Sequence, residues 1–310
     1  MISNWLKVLF LFSIFGAIAI TLVGGWYTYE EAPPYFSQVL DDQGRVVATH
    51  ADIMAGQHAW QKYGLMNNGS VWGHGTYRGN DYTATSLNLM GRYMRDFHAQ
   101  ADFGVAFAAL TKEQQAAIEA RVIREIKENR LDGATLALRL TPAQHFAYEA
   151  VRKHWDRVFS EGDKETAIAA GVVSDATERR QLSDFFLWTA WAAGTLRPGK
   201  ELTYTNNWPP DRSVGNDIAP EAVIWSIVSL LGLMVALGAA LTVFFRGRFD
   251  QDLSGLSLDD RVADRIIHLP ITSSQRKTAK YFLVVMLLFL LQLMQGGLMA
   301  HYTVHPGEFY

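Results

Sequence analysis

The chain contains no cysteine. That excludes disulfides, thiolate metal sites, iron–sulfur clusters and covalent haem attachment through C-x-x-C-H, and leaves only His, Met, Tyr or carboxylates to hold a haem or metal. Charge is also scarce, at 19% of 310 residues with a net value of −3. No basic stripe alternates with aromatics, so nucleic acid is excluded as a partner. Internal repeats and low-complexity tracts are absent. What is present in excess is apolar: hydrophobic residues reach 49%, and the surplus is gathered into segments.

Three segments are long and apolar enough to be read as bilayer-crossing helices, which take roughly 20 residues. They lie at residues 8–26, 222–245 and 281–304. The first has no small-x-small cleavage site after it, since the chain continues "YTYEEAPPYF", so it reads as an uncleaved anchor rather than a signal peptide. Between the second and third lie Arg246, Arg248, Arg261, Arg265, Arg276, Lys277 and Lys280. A short loop this rich in basic residues stays cytoplasmic. The expected organisation is therefore an anchor at 1–27, an outer domain at 28–220, a span at 221–246, a cytoplasmic loop at 247–280, and a last span with an outer tail at 281–310.

The outer domain reads as mainly helical. Thr111 and Gln114 have capping-box spacing, followed by Ile118, Val122 and Ile126 on one face. Thr141, Pro142 and Gln144 repeat the device ahead of Ala147, Val151, Trp155 and Val158. A third helix carries Phe185, Trp188 and Trp191 and ends at Gly194. "DDQGRVVATH" reads as a turn and strand around Gly44. Two stretches, 63–87 and 196–217, read as non-helical loops crowded with aromatics and glycines. Within the first, His74 has no second ligand at helical or hairpin spacing, and reads as a hydrogen-bonded loop residue ahead of a metal or haem ligand. Asn206, Asn207 and Trp208 suit an interfacial turn.

"QKYGLMNNGSVWGHGTYRGNDYTA", "DFFLWTAWAAG…RPGKELTYTNNWP" and "LPITSSQRKTAKYFLVVMLLFLLQLMQGGLMAHY" resemble the N-terminal part of quinol-dependent nitric oxide reductase, of the haem–copper oxidase superfamily. The resemblance runs through essentially the whole chain in order. It implies a membrane protein with three transmembrane helices in the bacterial inner membrane, and a periplasmic cytochrome c-like helical domain that lacks haem. It also implies, in the complete enzyme, haem b, haem b3 and non-haem iron. Their ligands in the family lie on later bundle helices that this sequence does not reach. No haem or metal ligand is therefore carried over, no catalytic residue is assigned, and the chain is expected to bind no cofactor alone and to represent a truncated, fragmentary or split enzyme. Partners implied are quinol, the lipid bilayer, the remaining catalytic helices as continuation or separate subunit, and, as an open question, a second copy in a homodimer.

The tail presents His301, Tyr302, His305 and Glu308 at the end of the third apolar segment. Interfacial anchoring accounts for such residues at headgroup depth. A quinol headgroup site also accounts for them, because quinol oxidation needs groups that hold each hydroxyl and accept its proton. The resemblance favours the quinol reading for His301 and Glu308 first, then Tyr302 and His305. His301 and His305 are four apart and share a face if the helix continues. Pro306 and Gly307 argue that it ends, leaving Glu308 to fold back. Gln292 and Gln295 read as facing protein, and "GGLMA" as a close-packing segment. A membrane-anchored sensor and a non-catalytic scaffold are the alternatives; the short cytoplasmic loop counts against the sensor.

Overall fold

A computed structural model describes residues 4–73, 79, 81–218, 220–249 and 273–304. The residues divide into two compact units, Met1–Ala219 and Pro220–Tyr310. The first unit opens with helix α1 (Asn4–Glu30) and continues into a helical domain.

That domain is built on locally encoded helix starts. α2 (His50–Lys62) has Thr49 and Asp52 capping each other reciprocally. α3 (Tyr82–Phe103) is capped by Asp81 and stopped at Gly104 in the left-handed region. α4 (Lys112–Lys127) and α5 (Pro142–Glu161) carry the expected capping boxes, Thr111 with Gln114 and Thr141 with Gln144, and Pro142 occupies the first turn. α6 (Ala176–Gly194) starts at Asp175, whose carboxylate accepts from the Thr177 and Glu178 N–H groups. Each cap satisfies N–H groups that the helix itself leaves unpaired.

A small sheet closes one side. β1 (Gln38–Leu40) and β2 (Val46–Thr49) form an antiparallel hairpin turning at Gly44 (φ 80°), as the turn-and-strand reading expected. β3 (Ala137–Arg139) then adds parallel to β1, a pairing the sequence did not signal. The stretch 63–87 also needs correction. It contains a 3-10 turn at Leu65–Asn67, and its last residues from Tyr82 on are the start of α3.

The expected apolar faces are buried: Ile118, Val122 and Ile126 on α4, and Ala147, Val151, Trp155 and Val158 on α5. Phe185 and Trp188 of α6 are buried too, while Trp191 is half-buried against the same cluster. The α2–α6 crossing is close because Gly56 faces the Gln181 backbone, leaving no room for a Cβ.

The second unit holds α7 (Pro220–Phe249) and α8 (Ser273–Val304). Among the described residues no helix is long and apolar enough to cross a membrane. The three expected spans fall on α1, α7 and α8 but are thus not shown. The expected cytoplasmic loop lies largely outside the described residues.

Candidate functional site

The tail candidates divide at the end of α8. His301 and Tyr302 belong to its last turn, while His305 and Glu308 lie outside the described residues. The backbone thus puts His301 on a helix, as expected, and does not test its pairing with His305. His74 also lies outside the described residues.

The two aromatic-rich loops come together. Gly73 (φ 72°) packs against the Trp208 ring so closely that a Cβ would stand 2.9 Å from it. Asn206 and Asn207 both take left-handed backbone (φ 54° and 61°), which asparagine tolerates better than most residues and which turns the chain ahead of Trp208. The first loop is anchored on Asp81. Its Oδ2 accepts from Ser70 Oγ at 2.7 Å and from Gly73 N–H at 2.8 Å, and its Oδ1 caps α3 through Ala84 N–H. Burial pushes this carboxyl above its ordinary range, against the pull of those bonds. Trp72 donates its indole N–H to the Thr189 carbonyl at 3.1 Å, pinning the loop to α6. In the second loop Arg197 is buried; it donates to the Thr203 carbonyl, to Glu31 just after α1 and to Asn206. Lys200 also donates to Glu31. One carboxylate thereby ties the end of α1 to this loop.

The domain's centre decides whether a haem fits. Trp155, Phe159, Phe186 and Tyr82 are fully buried and interlock: Tyr82 stacks on Phe186 at 4.5 Å, and Trp155 meets Phe186 edge-on at 5.2 Å. Trp155 satisfies its indole N–H on Ser86 Oγ at 3.0 Å, so the cluster is both packed and polar-satisfied. The neighbouring cavity, walled by Phe36, Met90, Leu138, Leu187 and Trp191 among others, has a volume of about 50 Å³. Sites for drug-sized ligands and cofactors take about 300 Å³ or more. With no cysteine for attachment in the chain and no histidine in its wall, this cavity does not fit a haem.

A buried ionic network crosses α5 and α6. Asp184 is fully buried; its Oδ1 accepts from Tyr148 Oη at 3.0 Å and from Arg152 Nε at 2.8 Å. Arg152 also donates to Glu149 at 2.7 Å and to the Val47 carbonyl at 2.9 Å. Burial pushes the Asp184 carboxyl up to about 6, although Arg152 opposes the rise. The sequence reading missed this pair. Its signal was a lone aspartate amid the apolar run "LSDFFLW". Near the hairpin, Asp41, Asp42 and His145 approach one another closely enough to hold an ion. Asp41 is already engaged, however, accepting from Arg45 Nε at 2.7 Å and from the Gln43 and Arg45 N–H groups. We read that trio as the turn's own scaffold.

Residues 36–210 match the family described as the NorB cytochrome c-like domain of nitric oxide reductase. No curated protein matches the chain. The matched stretch contains the hairpin, α2 to α6, the first aromatic loop and most of the second, and it spans more than half of the sequence. The chain belongs to the NorB family of nitric oxide reductase, through a cytochrome c-like domain whose core is closed by aromatic side chains.

Proposed function

We propose that this chain is the quinol-facing, non-haem portion of a nitric oxide reductase, carrying out 2 NO + 2 e⁻ + 2 H⁺ → N₂O + H₂O together with catalytic helices that continue or complement it. The family match over 36–210 carries the reading. The closed core adds to it, because a domain whose central cavity does not fit a haem is unsuited to relay electrons from a soluble donor. A donor oxidised directly at the membrane is then the simpler supply.

On this reading α1, α7 and α8 lie in the inner membrane with the matched domain on the periplasmic side. Supporting this, the described faces of all three helices expose large apolar side chains, with Phe12 at 75%, Val235 at 71% and Phe282 at 70%. The basic residues between α7 and α8 favour a cytoplasmic position for that loop. The tail then returns to the periplasmic side, where His301 and Glu308 would take the two hydroxyl protons of a quinol and Tyr302 and His305 would help hold its headgroup. Electrons would pass to haem b, haem b3 and non-haem iron held outside this chain's own residues. A bilayer-soluble quinol suits such a rim, since its apolar tail stays in lipid while its head meets the proton acceptors.

The test is the assembled enzyme carrying His301→Ala or Glu308→Gln. Quinol-driven turnover should fall by about 10²-fold or more, the low end for loss of a proton-transfer group. Reduction of NO with an artificial donor that bypasses the quinol should be kept. Equal loss with both donors, or no loss with either, would remove the tail from the donor site.

A further inference from the structure

α1 is joined to the matched domain through very few residues. Its described side chains are exposed along nearly the whole helix, Phe12, Tyr27 and Tyr29 among them. The domain takes hold of the chain again at Pro34, whose carbonyl accepts from Trp188 Nε1 at 3.0 Å, and at Tyr35, which stacks on Trp188 at 4.2 Å. Only Glu31, Ala32 and Pro33 lie between. Pro33 fixes its own φ and biases Ala32 towards extended backbone, so the joint is stiff, yet several torsions remain. The direction of α1 is set by whatever holds Glu31.

The Glu31 carboxylate accepts from Arg197 and from Lys200. The two cations differ in kind. Arg197 is 7% exposed and fixed to the domain. Its Nε donates to the Thr203 carbonyl at 2.9 Å and its backbone N–H to the Leu202 carbonyl at 3.0 Å, while the preceding Leu196 N–H donates to the Lys127 carbonyl at the end of α4. Its other side-chain acceptors, Thr203 and Asn206, are neutral. Losing Glu31 would strand a buried guanidinium without a counter-charge, and this favours the closed arrangement. Lys200 is about half-exposed, and an exposed pair holds little.

Glu31 also sits at the base of a long lever. A helix of 27 residues is about 40 Å long, so a swing of about 20° at one end moves the other by roughly 14 Å. We propose that the Glu31–Arg197 pair is a latch that fixes the direction of α1 against the matched domain, with Lys200 a minor contact beside it. Where α1 is the membrane anchor, the latch sets how the domain stands on the bilayer. That consequence rests on the function proposed above; the latch rests on the contacts alone.

The absence of native cysteine lets nitroxide labels be placed without background. The experiment is double electron–electron resonance on the full chain in detergent solution, which presupposes no bilayer. Labels go on Ile20→Cys in α1 and Ala120→Cys in α4, both exposed positions. With the latch intact the distance distribution should be single and narrow. Glu31→Ala and Arg197→Met should each broaden it at least twofold, while Lys200→Met leaves it unchanged. A second label pair inside the domain, Val46→Cys with Ala120→Cys, should stay narrow in every variant and reports that the domain is folded. If a variant fails that control, Glu31→Gln, which keeps the shape and removes the charge, takes its place. A broad distribution with the latch intact, an unchanged width in folded Glu31→Ala or Glu31→Gln, or equal broadening in Lys200→Met would each overturn the proposal. No turnover is measured, so an enzyme that fails to reduce NO would sink the functional reading and leave the latch standing, and the converse also holds.

Discussion

Gly56→Ala should be among the most damaging single-methyl additions in the matched domain. The added Cβ would stand 1.9 Å from the Gln181 carbonyl oxygen, 2.5 Å from its carbon and 2.9 Å from Phe185 Cβ. Two of these atoms are backbone of α6, so no side-chain rotation relieves them. Contact at about 3.5 Å would require the helices to part by roughly 1.5 Å, and a gap of that size forfeits much of the dispersion along the crossing. Overpacking costs typically 1–3 kcal/mol when side chains can adjust. Here we expect about 3 kcal/mol or more, which for a domain of this size is roughly 6–12 °C in Tm. Gly133→Ala, with nothing within 4 Å of the new atom, should stay within about 0.5 kcal/mol of wild type. The assay is thermal unfolding of the full chain in nanodiscs, followed by near-UV circular dichroism. A Gly56→Ala protein as stable as Gly133→Ala would refute the reasoning that this crossing is set by backbone contact.

Two further substitutions probe the domain. Arg152→Leu leaves Asp184 buried without its cation and should cost about 3–5 kcal/mol at pH 8. The folded-state pKa of Asp184 is already raised to about 6 from 3.8, so the folded protein holds the proton more tightly than the unfolded chain. Stability from this group therefore falls as pH rises from about 4 to 6 and is level above that, and the window should move higher in Arg152→Leu. Unfolding measured at pH 5 and pH 8 should show the variant's deficit shrinking at pH 5; a constant deficit would argue against a buried charge. Thr141→Ala loses both the α5 cap and the Oγ1 donor to Glu125 at 2.9 Å. We expect a loss of about 1–2 kcal/mol in denaturant unfolding, with Thr141→Ser recovering most of it.

What could be read from the sequence was what is local. The α4 and α5 starts were legible because Thr111 with Gln114 and Thr141 with Gln144 are complete three-residue devices. α2 uses the same device with Asp52 in place of Glu or Gln, and it was passed over. α3 follows a glycine-rich loop and carries Gly91 in its interior, where Val214 packs so closely that a Cβ would meet it at 2.7 Å. The loop reading of 63–87 covered the first turns of this helix, and its interior glycine lowers helix propensity locally. The parallel pairing of β3 with β1 joins residues about a hundred positions apart and has no local signature. The contact of Gly73 with Trp208 could be guessed only as two loops of similar character. Of the candidate site, the sequence supplied the tail residues themselves, and the structure describes only the backbone of His301 and Tyr302. The Arg152–Asp184 pair and the cavity beside Trp191 depend on which helix faces meet, and that is not written in any one segment.

On the function proposed above, a family domain whose central cavity does not fit a haem serves an enzyme fed from the membrane. The most direct test is NO consumption by the complete enzyme with two donors compared side by side, a quinol and a reduced soluble cytochrome c. We predict turnover with quinol that is abolished by a headgroup-site inhibitor, and none above background with the cytochrome. Efficient turnover with the cytochrome and none with quinol would contradict it.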